Sequence, residues 1–206
     1  MPPFVSLTAR ACPLPLANID TDQLIPARFM RRPRSEGYAP FLLHDLRRRA
    51  DGELDAAFPL NAEPFKGAKI LVARRNFGGG SSREAAIYAL VDHGFRAVIA
   101  PSFGDIFSSS AVKNGLLPAR VAEAEGEALL AGLASREMDE LAVDLAAETI
   151  AAGAKTIGFE IDPIWKRQLL NGWDDVDLTY NEAAAIAAFR AKYEQARPWA
   201  TPRRAS

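Results

Sequence analysis

The sequence contains very little cysteine and histidine. Its 206 residues include one cysteine, Cys12, and two histidines, His44 and His93. A single cysteine excludes an internal disulfide, and it also excludes a self-contained iron–sulfur centre, because such clusters are normally held by several thiolates. The two histidines do not have the ligand spacing of a zinc site. We therefore expect this chain to bind no metal of its own.

Long apolar runs and an excess of charge of one sign are also absent. No apolar stretch approaches the roughly 20 residues of a membrane span, and the N-terminus lacks the pattern of a signal peptide. The chain has 25 basic and 26 acidic residues, a balance that disfavours a nucleic-acid-binding surface. Local basic runs at 28–34 and 47–49 are typical of a solvated face or a subunit contact. We expect a cytoplasmic protein that binds neither membranes nor nucleic acid.

Length and a hydrophobic content of 49% predict one compact domain over residues 1–206. Repeated prolines predict an irregular N-terminal segment over residues 1–60, and residues 197–206 are predicted to form a flexible tail. Between them strands and helices alternate, with strand 69–73, helix 82–92, strand 97–100, helix 103–113 and strand 116–121. This order is typical of an α/β fold with a largely parallel sheet and right-handed crossovers.

The C-terminal third carries further predicted elements. A helix is expected over 122–134, and strands over 141–145 and 156–160 are expected to be joined through a small hairpin. Asp162-Pro163 is a favourable N-cap with proline at the first helical position, which predicts a helix to about residue 170. A last helix is predicted over about 181–195.

The most informative run is Asn76-Phe-Gly-Gly-Gly-Ser-Ser-Arg-Glu84, which lies between a predicted strand and a predicted helix. Such a turn directs free backbone N–H groups and the positive end of a helix dipole at one spot, which suits a carboxylate or a phosphate. The pattern Ser81-x-x-Glu84 fits a helix capping box equally well. A P-loop is rejected because Ser-Ser-Arg follows the glycines. A dinucleotide fingerprint is rejected because its third glycine is missing.

Two turns are expected to meet at one edge of the sheet. Ligands of open α/β sheets bind outside the carboxyl ends of the strands, and the turns 78–83 and 101–105 follow two successive strands there. We therefore expect these turns to share one cleft. From its residues alone, the polar block Asn18-Ile-Asp-Thr-Asp-Gln23 is typical of Asx turns.

Several blocks, in order, resemble the aconitase superfamily. They are Asn18-Ile-Asp-Thr-Asp-Gln-Leu-Ile-Pro26, Arg75-Asn-Phe-Gly-Gly-Gly-Ser-Ser-Arg-Glu84, Phe95-Arg-Ala-Val-Ile-Ala-Pro-Ser-Phe-Gly-Asp-Ile-Phe107, Lys113-Asn-Gly-Leu-Leu-Pro118 and Phe159-Glu-Ile-Asp-Pro163. They look like the small subunits of 3-isopropylmalate dehydratase, which are the detached swivelling domain of that superfamily. The similarity covers nearly the whole chain. It implies a swivelling β/β/α fold with a mixed, largely parallel central sheet flanked by helices.

The resemblance also implies a partner and a reaction. In the family a separate large subunit carries a [4Fe–4S] cluster, and the small subunit closes over that site in a heterodimer or heterotetramer. This chain itself would hold no cofactor. The implied reaction isomerises 2-isopropylmalate and 3-isopropylmalate by dehydration and rehydration through 2-isopropylmaleate, a step of leucine biosynthesis.

Matches to the family's motifs imply roles for the residues of the glycine-rich turn. Ser81 would be the base that takes the proton beside a substrate carboxylate. Arg83 would grip a carboxylate as a bidentate fork. Ser82 would contribute its amide or hydroxyl, and Gly80 an oriented amide.

Further roles fall on the N-terminal block. Asp22 and Thr21 match the family's Thr-Asp at the cleft, where they would orient water, the substrate hydroxyl or Arg83. The loop that follows tunes side-chain specificity in the family. Arg28 would be a further substrate-binding residue. Leu24, Ile25 and Phe29 would form an apolar lining for an isopropyl group.

Three departures from the family pattern keep alternatives open. Gly79 and Ala85 replace a cysteine and a histidine that usually flank the Ser-Ser-Arg-Glu motif, and residues 108–111 replace a Tyr-Asn-Asn-Cys segment. These changes favour, as a second interpretation, a sister hydro-lyase that acts on citraconate or 2-methylmalate, maleate or dimethylmalate. A third interpretation is a non-catalytic partner that regulates a large subunit.

Overall fold

A computed structural model describes residues 1–200, within which the chain forms one mixed sheet of seven strands. The strands are β1 (Ser6–Leu14), β2 (Ile70–Ala73), β3 (Ala97–Ala100), β4 (Leu117–Arg120), β5 (Glu140–Asp144), β6 (Thr149–Ala152) and β7 (Lys155–Gly158). Their order across the sheet is β4-β3-β2-β1-β5-β6-β7. The helices are α1 (Thr21–Leu24), α2 (Glu84–His93), α3 (Asp105–Lys113), α4 (Glu123–Ala134), α5 (Pro163–Asn171), α6 (Asp175–Asn181) and α7 (Ala183–Ala196).

The central strand β1 divides the sheet into a parallel half and an antiparallel half. Its residues from Ala11 to Leu14 pair with β2 in parallel, and those from Ser6 to Arg10 pair with β5 in the antiparallel sense. The pairings β2–β3 and β3–β4 are also parallel, whereas β5–β6 and β6–β7 are antiparallel. The predicted α/β class with a mixed sheet is confirmed, but the sheet is half parallel and half antiparallel and not largely parallel as predicted. The parallel half carries the glycine-rich turn.

Strand β1 corrects the prediction that residues 1–60 are irregular. The prolines of this segment suggested few regular elements, yet Pro13 lies inside a nine-residue strand. It is tolerated because it lies beyond Arg10, the last residue paired with β5, so no strand requires a donor from that side. The rest of the segment forms α1 and short 3₁₀ turns, the latter at Ala27–Arg31, Arg34–Glu36, Ala39–Phe41 and Pro59–Asn61.

Alternate residues of β2 feed two separate cores on opposite faces of the sheet, as the period-two geometry of a strand requires. Leu71 and Ala73 join a core made with α2 and the N-terminal segment. Ile70 and Val72 join a core made with α4 and α5. All four side chains are fully buried, which is the pattern of a parallel strand covered on both faces. The irregular N-terminal segment is therefore one wall of a core.

The elements predicted for the centre of the chain are confirmed within two residues at either end, and two corrections apply to the C-terminal third. A strand that the sequence did not predict, β6, lies between β5 and β7, so the antiparallel half is a three-strand meander. The predicted final helix is confirmed as α7, within two residues at either end, whereas the helix before it, α6, was not predicted. Of the predicted tail, residues 201–206 lie outside the described residues.

Candidate active site

The glycine-rich turn and the turn after β3 are joined by backbone hydrogen bonds at the carboxyl edge of the parallel strands. The Phe77 amide donates to the Ser102 carbonyl at 3.0 Å, and the Gly104 amide donates to the Phe77 carbonyl at 3.0 Å. The Asn76 amide donates to the Ser102 hydroxyl at 2.8 Å. The prediction that the two turns share one edge of the sheet is confirmed.

Close packing of α3 on the turn explains two of the glycines. Gly78 has a φ of +73°, and a Cβ atom there would collide with the Phe107 ring. A Cβ at Gly104 would lie 2.6 Å from the Gly78 carbonyl oxygen. Both positions therefore require glycine because backbone and ring approach each other closely. These glycines bring the start of α3 against the turn, whereas Gly80, at φ +93°, lies on the exposed side.

The polar block at residues 18–23 docks directly onto the glycine-rich turn. The Gly78 amide donates to the Ile19 carbonyl at 2.7 Å, and the Thr21 amide donates to the Gly79 carbonyl at 2.9 Å. The Thr21 side chain, only 3% exposed, donates from Oγ1 to the Ser81 carbonyl at 2.9 Å. The backbone that carries Ser81 is thus held from the N-terminal segment, about 60 residues away in sequence.

A capping box forms at this block, and none forms at Ser81. The Asp20 carboxylate accepts from the Gln23 amide at 2.7 Å, and the Gln23 side chain accepts from the Asp20 amide at 2.9 Å. The capping box predicted for Ser81 and Glu84 is wrong: α2 begins at Glu84 with Arg83 as its N-cap, and Arg83 makes no side-chain cap bond. The Ser81 hydroxyl is exposed and is not used to cap the helix.

Asp22 and Arg83 form an ion pair across the junction of block and turn. The Arg83 side chain is mostly buried at 20% exposure, whereas Asp22 is 54% exposed. An ion pair with one partner this open contributes little to stability. Its main effect is on geometry, because it fixes the direction of the guanidinium beside the exposed Ser81.

The cleft around Ser81 is too small to enclose a substrate. It is lined by Thr21, Ser81, Arg83, Ile87, Ile106, Phe107 and Ser110, and its cavity volume is about 10 Å³. That volume corresponds to a single water molecule. A diacid bound here would rest on an open surface, so a second surface is needed to complete the site.

Four predicted substrate contacts lie elsewhere in the structure. Leu24 and Ile25 are fully buried in the core, so neither can touch a ligand in this conformation. The Arg28 guanidinium is bound to the Asp45 carboxylate and lies 4.5 Å over the Phe29 ring. Phe29 in turn stacks on Phe41 with ring centroids 4.4 Å apart. The sequence analysis expected the apolar residues after the polar block to contact the substrate. In the structure the buried side chains of Leu24 and Ile25 instead anchor α1 to the core.

The sequence prediction missed the side of the cleft that α2 and α3 form. Ile106 and Ser110 project from α3, and Ile87 comes from α2. Ile106 is 51% exposed although it is a large aliphatic residue. The signal was available, because the helix predicted over 103–113 begins beside the glycine-rich turn and its first turn must face the same cleft.

The residues of this chain do not fit an iron–sulfur cluster. The only cysteine, Cys12, is buried at 1% exposure, and burial raises the pKa of its thiol to about 12. A cluster ligand must be a thiolate. Among residues 1–200 no group of three or more His, Cys, Asp or Glu side chains is placed to hold a metal ion. Within the same residues no helix is long and apolar enough to cross a membrane.

Comparison with known proteins agrees with the blocks seen in the sequence. The model of the aconitase C-terminal domain family matches residues 1–124. A 3-isopropylmalate dehydratase small subunit from Teredinibacter turnerae is 41% identical over 205 residues, which cover 95% of each chain. The protein of the same name from Shouchella clausii is 44% identical over 189 residues, covering 92% of this chain and 95% of that protein.

The fold comparison points the same way. The crystal structure of a 3-isopropylmalate dehydratase from Methanocaldococcus jannaschii superimposes with a TM-score of 0.62 at 27% sequence identity. The match covers 89% of this chain and 98% of that chain. This chain therefore belongs to the aconitase C-terminal domain family and, within it, to the small subunits of 3-isopropylmalate dehydratase.

Proposed function

We propose that this chain is the small subunit of a hydro-lyase that interconverts 2-isopropylmalate and 3-isopropylmalate through 2-isopropylmaleate. The single observation that carries the proposal is the meeting of Ser81, Thr21 and Arg83 in one cleft at the carboxyl edge of the parallel strands. The relatives named above, at 41% and 44% identity, point to the same activity. In this role the chain takes part in leucine biosynthesis in the cytoplasm.

Ser81 is proposed as the base that removes the proton from the carbon beside a substrate carboxylate. An isolated serine hydroxyl is far too weak an acid to supply an alkoxide at neutral pH. Here the hydroxyl lies just before the N-terminus of α2, shares its cleft with the Arg83 guanidinium and is not used to cap the helix. Oriented amides, including that of Gly80, and a fixed cation stabilise a developing oxyanion once water is excluded. Ser82, also exposed on this turn, is placed to hydrogen-bond the same substrate.

Arg83 is proposed to bind the substrate carboxylate, with Asp22 as the residue that positions it. A guanidinium presents a planar fork that matches a carboxylate with two hydrogen bonds. Asp22 already occupies Nη1 of Arg83, so the carboxylate of a substrate must share the guanidinium with it. The buried hydroxyl of Thr21 positions Ser81 through its carbonyl.

Ile106 is proposed to contact the apolar branch of the substrate. It is the most exposed large aliphatic side chain of the cleft, at 51%. An isopropyl group that covers Ile106 would remove apolar surface from water. In such a pocket a difference of one methyl group changes the free energy of substrate discrimination by about 1–3 kcal/mol. Phe29, predicted for this role, is partly buried, stacks on Phe41 and does not line the cleft around Ser81.

A large subunit is proposed to complete the site, in a heterodimer or a heterotetramer. The cavity of about 10 Å³ cannot enclose a diacid, and the buried Cys12 cannot supply a cluster ligand. We therefore assign the [4Fe–4S] cluster to the partner. The residues of this chain then act on the proton and the carboxylate of the substrate.

The test is co-expression with a cluster-bearing large subunit under anaerobic conditions, followed by absorbance assays of alkene formation or consumption. 2-Isopropylmaleate should be hydrated faster than citraconate, maleate or dimethylmaleate. Arg83→Lys should raise KM by at least about tenfold, because the loss of one charge-assisted hydrogen bond costs about 1.5–3 kcal/mol. Ser35→Ala, an exposed serine outside the cleft, is the matched control and should leave both constants unchanged.

Two results would contradict this proposal. Faster hydration of citraconate would assign the chain to a sister hydro-lyase. A complete cluster-loaded complex without activity on any of the four alkenes would assign it to the non-catalytic partners.

A further inference from the structure

A second hollow lies at the opposite end of α2 from the candidate active site. It has a volume of 390 Å³ and is lined by Ala39, Pro40, His44, Arg47, Arg48, Leu54 and His93. Since α2 begins at Glu84 and ends at His93, its length of ten residues separates the hollow from Arg83 by about 15 Å. We call this hollow the Arg47 pocket.

The pocket holds two arginines that have no carboxylate partner among residues 1–200. Arg47 is partly buried, donates from Nε to the Asn61 side chain at 2.8 Å, and takes part in no ion pair within those residues. Arg48 donates to the Gly52 carbonyl at 2.7 Å and is equally without a counter-ion there. The two guanidinium groups also repel each other: burial and then the charge of Arg48 lower the pKa of Arg47.

The carboxylates closest in sequence to the two histidines are already occupied. Asp92 accepts two hydrogen bonds from Arg34, each at 2.8 Å, and one from the Tyr38 amide at 2.7 Å. Asp45 is bound by Arg28, and it also lies 2.8 Å from Nδ1 of the neighbouring His44. Neither carboxylate is free to neutralise Arg47, so the pocket keeps an uncompensated positive charge.

The remaining groups suit a small polar ligand. His93 is stacked on Phe95 at 5.1 Å, and its pKa is lowered by burial and by the charge of Arg47, which favours the neutral ring. Ala39, Pro40 and Leu54 supply short apolar walls. A volume of 390 Å³ lies in the range of small-molecule sites. A partly buried guanidinium that has hydrogen bonds but no counter-ion is stabilised when an anion neutralises its charge.

We infer that the Arg47 pocket binds a small oxyanion, a phosphate or a carboxylate, held by Arg47 and Arg48. Guanidinium groups recognise both kinds of anion through paired, charge-assisted hydrogen bonds. Bound there, the anion would supply the counter-charge that residues 1–200 do not. The inference is independent of the proposed activity, because no residue of the Arg47 pocket lines the cleft around Ser81.

The two histidines provide a selective probe. The chain contains only His44 and His93, and both line the pocket, so every imidazole C–H signal in a ¹H–¹³C spectrum of the full chain reports on it. Sodium phosphate and disodium succinate are titrated separately at constant pH, with sodium chloride keeping the ionic strength fixed. At least one anion should shift the imidazole signals along a saturable curve, and whichever does so identifies the ligand as phosphate or carboxylate.

Charge-matched variants separate binding from general ionic effects. Arg48→Gln should raise the dissociation constant by at least about tenfold. Arg49→Gln removes the same charge one residue further on, where Arg49 lies 3.7 Å from Asp51 and outside the pocket, and it should leave the constant unchanged. Far-ultraviolet circular dichroism and the thermal midpoint of each variant verify that it is folded.

Three outcomes would overturn the inference. The first is that neither anion produces a saturable shift in the wild-type chain. The second is that chloride alone produces the same shift. The third is that a folded Arg48→Gln variant binds as tightly as the wild type.

Discussion

Replacing Gly78 with alanine tests whether close packing of α3 sets the geometry of the active-site turn. Gly78 has a φ of +73°, in the left-handed region, and a Cβ atom there would collide with the Phe107 ring. Phe107 is 3% exposed and lies in an edge contact with Phe77 at 5.3 Å. The ring is therefore confined by its burial and by its contact with Phe77.

Two separate costs add at this position. A non-glycine residue in the left-handed region costs about 1–2 kcal/mol, and forcing a methyl group into a packed site costs about 1–3 kcal/mol more. We expect Gly78→Ala to lower the free energy of unfolding by about 2–5 kcal/mol in total. It should also impair turnover, since the same turn carries Ser81.

Gly67→Ala is a matched control for the backbone term alone. Gly67 has the same φ of +73°, but no heavy atom lies within 4 Å of where its Cβ would be. Urea unfolding of the isolated chain, followed by circular dichroism and fluorescence, gives both free energies. Gly67→Ala should cost only about 1–2 kcal/mol. If the two variants lost equal stability, the packing argument for Gly78 would be refuted.

Three further predictions concern single side chains. Thr21→Val removes the 2.9 Å hydrogen bond to the Ser81 carbonyl. This variant should lower the free energy of unfolding in urea by about 0.5–1.5 kcal/mol and should also lower kcat. Thr21→Ser keeps the hydroxyl and should retain both the stability and kcat. Hydrogen bonding, first to Arg28 and then to His44, lowers the pKa of Asp45 from its ordinary value of 3.8 to about 2. The ionised carboxylate therefore stabilises the fold above pH 3.8, and this stabilisation is lost as the pH falls towards 2. In Arg28→Gln, an NMR titration of Asp45 should find that pKa returned towards 3.8, and an unchanged value would contradict the assignment. The pKa of the buried Cys12 thiol is raised to about 12, so this thiol should resist iodoacetamide at pH 8 in the folded chain and react after urea denaturation. Rapid labelling of the native chain would contradict this burial.

The sequence was sufficient for the parallel half of the fold. Uninterrupted apolar runs mark β2 and β3 because parallel strands are buried on both faces. Helix α2 ends at His93, before a left-handed Gly94 and one residue beyond its predicted end. Strand β1 was missed because its proline and arginine contradict the usual strand pattern. Its role depends on two partners distant in sequence, β2 and β5, whose pairing no local pattern reveals.

The candidate site was predicted in part for a similar reason. Ser81, Thr21, Asp22 and Arg83 belong to polar motifs whose residue types suggest chemistry, and the structure brings all four together. Leu24 and Ile25 were assigned to the substrate because an apolar residue beside a polar motif can serve either a ligand or a core. Only burial distinguishes the two, and both are fully buried.

The capping box shows the same limit at a smaller scale. The spacing of a cap residue and a Glu or Gln three positions later occurs at both Asp20–Gln23 and Ser81–Glu84. The box forms only at the first, because α2 begins three residues after Ser81. The point at which a helix begins depends on tertiary contacts of the preceding turn, which the local pattern does not contain.

The most direct test of the central claim is the turnover number of Ser81→Ala in the complex with a cluster-bearing large subunit. If Ser81 is the base, kcat for 2-isopropylmalate should fall by about 10²–10⁴-fold, with the cluster content and the assembly unchanged. Ser35→Ala, assayed in parallel, should retain full activity. A Ser81→Ala complex that turns over as fast as the wild type would contradict the account.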